Sequence, residues 1–329
     1  MTDFNAFQVE KSDDEVQQSI IQRSIEDLPA GELLIRVRYS SVNYKDALSA
    51  KGMPGVTKNY PHTPGIDAAG VVESSDVDSF TVGDEVVVIG FDLGMNTPGG
   101  FGEYIRVPAN WAVRVPGGLT LKETMMLGTA GFTAALCLEK LERMGASPED
   151  GPVLVTGSTG GVGSVAVSLL AKLGFEVIAS SGKSDQVDYL KSLGASSVIG
   201  RDELTGESKR PLLAEQWAHG VDTVGGEILS NVIKSLKYGG SVAICGLVAS
   251  PSFTAAVFPF ILRGVNVLGV DSVELPIEAK ANTWQRLAGD WKLSNLDDMT
   301  SEITLNELSE ALDRVFAGQA KGRTLLKHG

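Results

Sequence analysis

The sequence predicts an α/β protein, with a doubly wound parallel sheet in the middle of the chain and a β-rich part ahead of it. Three observations carry that prediction. From about residue 124 to 270, short apolar runs alternate with segments of helical period, the pattern of βαβ units whose strands are buried on both faces. A glycine-rich turn, Gly157-Ser158-Thr159-Gly160-Gly161-Val162-Gly163, joins the first of these runs to the first helix. Before residue 122, β-branched runs broken by Gly, Pro and Asp replace the helical period.

Composition narrows the class. With 329 residues the chain has room for two domains, each able to bury a core. Charged residues at 21% and the AVILMFWYC set at 43% fit a globular protein and exclude a disordered one. The 28 basic and 41 acidic side chains leave a formal charge of −13, and no basic cluster is visible, so a nucleic-acid partner is not expected. The start, MTDFNAFQVEKSDDE, lacks both the basic and the apolar region of a secretory leader. No apolar stretch reaches the ~20 residues that span a bilayer. Cys137 and Cys245 are too few for a disulfide framework and read as core thiols. The expectation is a cytoplasmic protein with neither membrane nor nucleic-acid partners.

In the N-terminal part, ELLIRVRYSSVN, AAGVVESS and DEVVVIGF are the strand candidates. The middle offers VLVT, EVIAS, SSVIG, VDTVG, SVAICG and VNVLGVDS as strands, with VGSVAVSLLAKLG and SDQVDYLKSLGA as helices between them. The tail, ITLNELSEALDRVFAGQAKGRTLLK, reads as one amphipathic helix and a short strand that returns to the first part. The segments divide at residues 1–123 with 271–329, and 124–270.

The glycine turn is spaced to cradle phosphates. Gly157 permits a tight exit from VLVT, and Gly160 and Gly161 let backbone N–H groups approach a pyrophosphate. Gly163 allows close packing of the following helix, whose positive end meets the phosphates. The same letters satisfy the turn of short-chain dehydrogenases, but those enzymes use a Tyr-x-x-x-Lys pair, and no tyrosine here is followed by lysine at that spacing. Twenty residues after Gly160, where an NAD-binding protein offers an acid to the ribose hydroxyls, the chain has Ser180, Ser181, Gly182 and Lys183. Arg201 follows the next strand. Hydroxyl donors with positive charge suit a 2′-phosphate, which a carboxylate would repel, so the cofactor expected is NADP(H).

Ser41-Val42-Asn43-Tyr44-Lys45-Asp46, Pro64-Gly65-Ile66-Asp67-Ala68-Ala69-Gly70-Val71, Gly99-Gly100-Phe101-Gly102-Glu103-Tyr104, Gly128-Thr129-Ala130-Gly131-Phe132-Thr133-Ala134 and the cradle follow in that order. The order resembles the medium-chain dehydrogenase/reductase superfamily. Asn43-Tyr44-Lys45-Asp46, Gly239-Gly240-Ser241, Pro259-Phe260-Ile261-Leu262-Arg263-Gly264, Asp271-Ser272-Val273 and Gly322-Arg323 resemble its zinc-independent acryloyl-CoA reductase and quinone oxidoreductase family, almost end to end. The resemblance implies a β-rich GroES-like catalytic and substrate domain over 1–123 and 271–329, a Rossmann NADP-binding domain over 124–270, and a homodimer. Zinc-dependent members carry Cys at the place of Asn43 and Gly-His-Glu at Gly65-Ile66-Asp67. Asn43 and Ile66 supply neither thiolate nor imidazole, so no metal site is expected.

The resemblance also carries cofactor contacts onto Tyr44, Thr159, Gly160, Gly161, Val162, Ser181, Gly182, Lys183, Arg201, Leu247, Ile261 and Ser272. It sets Asn43 and Tyr44 beside the nicotinamide, as the catalytic candidates. Tyr44 serves either as a proton donor or through packing and ribose contact. His62, Asp46 and Asp67 read as structural. Without a Lewis acid, the feasible chemistry is hydride addition to an electron-poor carbon, with a donor for the developing enolate oxygen and a proton for the α-carbon. The expected reaction is NADPH-dependent reduction of acryloyl-CoA to propanoyl-CoA. Lys45, Lys51, Lys58 and Arg323 are the candidate cations for the CoA phosphates. A quinone or enone reductase on the same scaffold is the alternative, and a non-catalytic nucleotide-binding structural protein is a third, since a fold does not choose among functions.

Overall fold

The computed structural model describes residues 2–13, 15–206 and 209–329. It opens with a hairpin of β1 (Asp3–Ser12) and β2 (Glu15–Ser24), antiparallel in register from Asp3 opposite Ser24 to Ser12 opposite Glu15. The hairpin is absent from the strands expected of the sequence, because β2 is largely polar and exposed and its period-2 pattern carries little contrast. Next come β3 (Leu33–Ser41), the short helix α1 (Tyr44–Ala50), β4 (Asp67–Ser75), β5 (Glu85–Ile89), β6 (Tyr104–Val107) and β7 (Ala112–Arg114). α2 (Leu121–Arg143) is broken at Gly128, whose φ of 53° lies in the left-handed region.

β8 (Val153–Val155), α3 (Gly161–Lys172), β9 (Val177–Ser181), α4 (Val187–Ser192) and β10 (Ser197–Gly200) form the first half of the doubly wound part. β11 (Trp217–Asp222), α5 (Gly226–Ser235), β12 (Leu236–Ile244), α6 (Phe258–Arg263) and β13 (Asn266–Gly269) form the second. The chain ends with α7 (Ile277–Ala288), β14 (Thr300–Ile303), α8 (Leu308–Phe316) and β15 (Arg323–Lys327).

These elements make two compact units, Met1–Ala130 with Ser272–Gly329, and Gly131–Asp271. In the first, strands follow the order β14-β15-β3-β4-β5-β7, with β6 also on β3. The tail strand β15 runs antiparallel to β3, Leu325 opposite Ser41, so the C-terminal segment joins the sheet of β3 to β7, while β1 and β2 pair in a sheet of their own. Leu33, Ile35 and Val37 of β3 pack with Val86, Val88, Ile105 and Val107 in one core cluster. A second cluster joins Phe7, Val9 and Phe101 to Leu308, Leu312 and Leu326 of the tail.

In the second unit all six strands are parallel, in the order β10-β9-β8-β11-β12-β13. Counted along the chain this is 3-2-1-4-5-6, the Rossmann order, with its switch point between β8 and β11. The fourth strand lies earlier than VDTVG suggested. It occupies Trp217–Asp222, and residues 223–225 turn away, since Gly225 and Gly226 hold φ of 72° and 66°, which an extended strand does not accommodate. Trp217, hidden among Leu154, Ile178, Val232 and Val242, is part of the core.

Candidate functional site

In the second unit the turn after β8 opens at the sheet's switch point. Gly157 has φ of 59°, and Gly160, the N-cap of α3, donates its N–H to Gly157 O at 3.0 Å. A Cβ on Gly163 would strike Gly157 O and come within 2.7 Å of Ser158 Cα. Gly163 is therefore required by closure of the turn itself, rather than by the helix–sheet packing expected of it. The amides of Gly161, Val162 and Gly163 form the first turn of α3 and have no acceptor within their helix, so they point an array of donors out of its N-terminus. Thr159 lies buried in the turn.

Beside the cradle, β9 ends at Ser181, whose Oγ accepts the N–H of Lys183 at 3.0 Å. The parallel register sets Gly200 opposite Ser181. That register brings Arg201 across the strand pair: a Cβ on Gly182 would lie 3.2 Å from its Cζ and 3.3 Å from its Nε. Ser181, Gly182, Lys183 and Arg201 thus form one group of a hydroxyl, a close-approach glycine and two cations, at the end of the strand where the acid is missing. Partial burial lowers the Lys183 pKa, opposed by the nearby Asp185 carboxylate. Leu247 follows β12 by three residues and is exposed. Ile261, 69% exposed, sits on α6, whose Arg263 reaches back to the carbonyls of Lys234 and Leu236.

In the first unit, Asn43 caps α1 within a buried polar network. Its Nδ2 donates to Asp67 Oδ2 at 2.8 Å and to Ser41 O at 3.2 Å, and its backbone N–H to Asp46 Oδ2 at 2.8 Å. Asp46 Oδ1 accepts from Ile66 N at 2.8 Å and Gly65 N at 3.2 Å. Asp67 further accepts the Ser41 hydroxyl, the Thr129 hydroxyl at 2.5 Å and Thr129 N at 2.9 Å. Arg323 closes the group, with Nη2 to Ser41 Oγ at 2.8 Å and Nε to Met126 O at 3.1 Å. Gly128 is the only residue type that fits between them, since a Cβ there would lie 2.5 Å from Asp67 Oδ2 and 2.7 Å from Arg323 Nη2.

Complete burial, then the neighbouring Asp67 charge, push the Asp46 pKa up to about 7, against the pull of its backbone amide donors. Burial also lowers the Arg323 pKa, an effect that Asp67 and Asp46 oppose. Asn43, with its amide hydrogens engaged, presents only its Oδ1 acceptor. The adjacent Tyr44 is half-buried, and its hydroxyl has no hydrogen-bond partner among the described residues.

The remaining candidates sort by the same geometry. His62 is buried, with its ring Nε2 on Gly94 O at 2.8 Å and its pKa lowered by burial, so it serves the loop it stands in. Arg323 is 2% exposed, which removes it from the cations expected for CoA phosphates; Lys51, in a surface pair with Asp313 at 2.6 Å, stays with Lys45 and Lys58. Ser272 is buried, in the segment entering α7. The Arg323 network has no signature in local sequence, because its members come from positions 41, 43, 46, 67, 129 and 323.

Residues 29–117 match the family "Alcohol dehydrogenase GroES-like domain", and residues 161–289 match "Zinc-binding dehydrogenase". The chain belongs to the medium-chain dehydrogenase/reductase superfamily and is an oxidoreductase of that class. Within it, the chain is 46% identical over 325 residues to "Putative quinone oxidoreductase YhfP" of Bacillus subtilis, and 45% identical over 325 residues to acrylyl-CoA reductase AcuI of Ruegeria pomeroyi. Each alignment covers 98% of both chains. The structure of Bacillus subtilis YhfP with NAD bound superposes with a TM-score of 0.97 at 45% identity, covering all of both chains. The YhdH oxidoreductase of Salmonella enterica in complex with NADP gives 0.96 at 43% identity, covering 99% of this chain and 100% of that one. Among the described residues, no helix is long and apolar enough to cross a membrane, and no three His, Cys, Asp or Glu side chains are grouped to hold a metal.

Proposed function

We propose that this protein is an NADPH-dependent reductase of the activated double bond of acryloyl-CoA, giving propanoyl-CoA without zinc. The observation that carries the cofactor is the Ser181, Gly182, Lys183 and Arg201 group, where two cations stand in place of the ribose-binding acid. The substrate class rests on the relatives named acrylyl-CoA reductase, at 45% and 44% identity. Zinc does not fit the residues present: Asn43 Nδ2 is a donor, Ile66 is apolar, and the Asp67 carboxylate is filled by Ser41, Asn43 and Thr129.

NADPH fits the cradle. The amides of Gly161, Val162 and Gly163 would take its pyrophosphate, and Ser181, Lys183 and Arg201 its 2′-phosphate, with further contacts from Thr159, Gly160, Leu247, Ile261 and Ser272. When bound, the cofactor supplies a hydride. The Tyr44 hydroxyl, with no hydrogen-bond partner among the described residues, is the group that can donate to an enolate oxygen or deliver the proton to the α-carbon. Asn43 contributes an acceptor, and Asp67 holds its amide in that sense. In this reading the first unit binds substrate and the second binds NADPH. The protein is a cytoplasmic homodimer paired at the edge strand β13, whose far side has no strand neighbour among the described residues.

A quinone or enone reductase is the second reading. It is favoured by the name of the YhfP relative and by the loss of Arg323 as a phosphate cation. Oxidation of NADPH, followed by its absorbance with acryloyl-CoA, crotonyl-CoA and a benzoquinone side by side, tests both. Preference for acryloyl-CoA by kcat/KM supports the first reading, and preference for the quinone replaces it with the second. No turnover with any of them returns the protein to a nucleotide-binding role. Size-exclusion chromatography with light scattering tests the dimer.

A further inference from the structure

Asp222, the last residue of β11, is completely buried, and no salt bridge to it occurs among the described residues. Its partners are all neutral donors. Thr156 Oγ1 donates to Oδ1 at 2.7 Å and Gly225 N to Oδ2 at 2.7 Å. Thr156 Oγ1 accepts Thr223 N at 3.0 Å in turn, and Thr223 Oγ1 donates to Thr156 O at 2.9 Å. A carboxylate in this setting has an unfavourable burial, and burial does raise its pKa.

What the carboxylate holds explains its presence. Thr156 immediately precedes Gly157, the residue that turns the chain into the cradle. A Cβ on Gly157 would strike Thr223 Oγ1 and lie 3.0 Å from Val224 Cγ1, so the cradle rests directly on the turn after β11. On its other side, that turn meets the segment after β12. A Cβ on Gly246 would lie 2.8 Å from Thr223 Cα, and Ala249 N donates to Val224 O at 2.8 Å. Asp222 O also accepts Cys245 N at 3.0 Å. The two donors that reach the carboxylate, Thr156 Oγ1 at the end of β8 and Gly225 N in the turn after β11, need a side chain that only accepts, with one oxygen for each. An asparagine would turn its NH2 toward one of those donors.

We infer that Asp222 is a positioning residue for the cofactor, clamping the cradle turn (156–163) and the Leu247 segment (245–250) to one shared support, the 222–226 turn. The inference rests on the proposed binding of NADPH by Thr159 to Val162 and Leu247. It assigns the buried carboxylate to cofactor affinity rather than to stability.

The test compares NADPH binding, followed by quenching of protein fluorescence, thermal midpoint, and the kinetics of the full-length protein for the wild type, D222N, T156V and D222N/T156V. D222N is expected to keep its thermal midpoint, because loss of a hydrogen bond is offset by removal of a buried charge. Its Kd and KM for NADPH should rise about 10- to 100-fold, as when outer-shell partners of a binding group are removed. At saturating NADPH its kcat should stay within about threefold of the wild type. T156V should weaken binding too, and the double variant should be no worse than the weaker single one, since both sever the same clamp.

A D222N protein with wild-type midpoint and NADPH Kd overturns the inference, as does a fall in midpoint with Kd unchanged. If D222N does not fold, T156V alone decides, with an unchanged NADPH Kd counting against the clamp. K183A is the control for the reading beneath it. A wild type that does not bind NADPH ends both, whereas weakening by K183A but not by D222N or T156V ends this inference alone.

Discussion

Asp46 turns the buried network of the first unit into a measurable pH dependence. Its side chain is completely buried beside Asp67, which pushes its folded pKa to about 7 from an ordinary 3.8. The difference of about three units corresponds to roughly 4 kcal/mol at ~1.4 kcal/mol per unit. Because the folded protein binds this proton more readily than the unfolded chain does, stability falls as pH rises from about 4 to about 7, and is level on either side. The backbone amides of Ile66 and Asn43, with the Asn43 side chain, act against the shift without cancelling it.

The perturbation is D46N, which cannot titrate. Urea unfolding of both proteins across about pH 4 to 8 gives a stability difference whose change with pH isolates this group. Titration of His62 and His328, each lowered by burial, is common to both proteins and drops out. The wild type should lose up to about 4 kcal/mol relative to D46N over that range, whatever fixed offset the amide introduces. Parallel curves would refute the reasoning. A wild type that gains on D46N as pH rises would mean that Arg323 and the amides hold the carboxylate ionised.

Three further outcomes follow from the same geometry. K183A and R201A should each raise KM for NADPH about tenfold, equivalent to ~1.4 kcal/mol, and leave KM for NADH nearly unchanged, as checked by parallel initial-rate series with the two cofactors. Y44F should lower kcat about 100-fold with acryloyl-CoA, with KM for NADPH little altered if the hydroxyl is the proton donor; a change confined to that KM would assign Tyr44 to ribose contact. G128A combines a left-handed backbone with a Cβ pressed against Asp67 and Arg323, and should cost about 3 kcal/mol or more, read as a lowered thermal midpoint.

The cradle was legible in sequence because its chemistry is local: a short apolar strand, glycines at fixed offsets and an apolar helix are contiguous letters. The doubly wound class was legible for the same reason, as repeated alternation of strand and helix periods. The exchange of acid for Ser181 and Lys183 could also be read directly, since it lies at one position after one strand. β2 escaped, since a polar, exposed strand has a weak period. The end of β11 was misjudged because VDTVG has the composition of a strand while the two glycines after Val224 take a left-handed backbone.

What only tertiary structure decided are the meetings of residues far apart in the chain. Arg201 joins Gly182 because β9 and β10 pair in parallel with Gly200 opposite Ser181, a register not written in either strand alone. Arg323 reaches Ser41 because the tail strand returns to β3, so a residue suggested as a phosphate ligand is instead a buried partner of Asp67. Asn43 was readable as a residue where zinc enzymes have cysteine, but the direction of its amide was set by Asp67, 24 positions away. Periodicity and motif spacing record short-range geometry; hydrogen-bond partners, burial and the pKa shifts that follow depend on contacts made only when the sheets close.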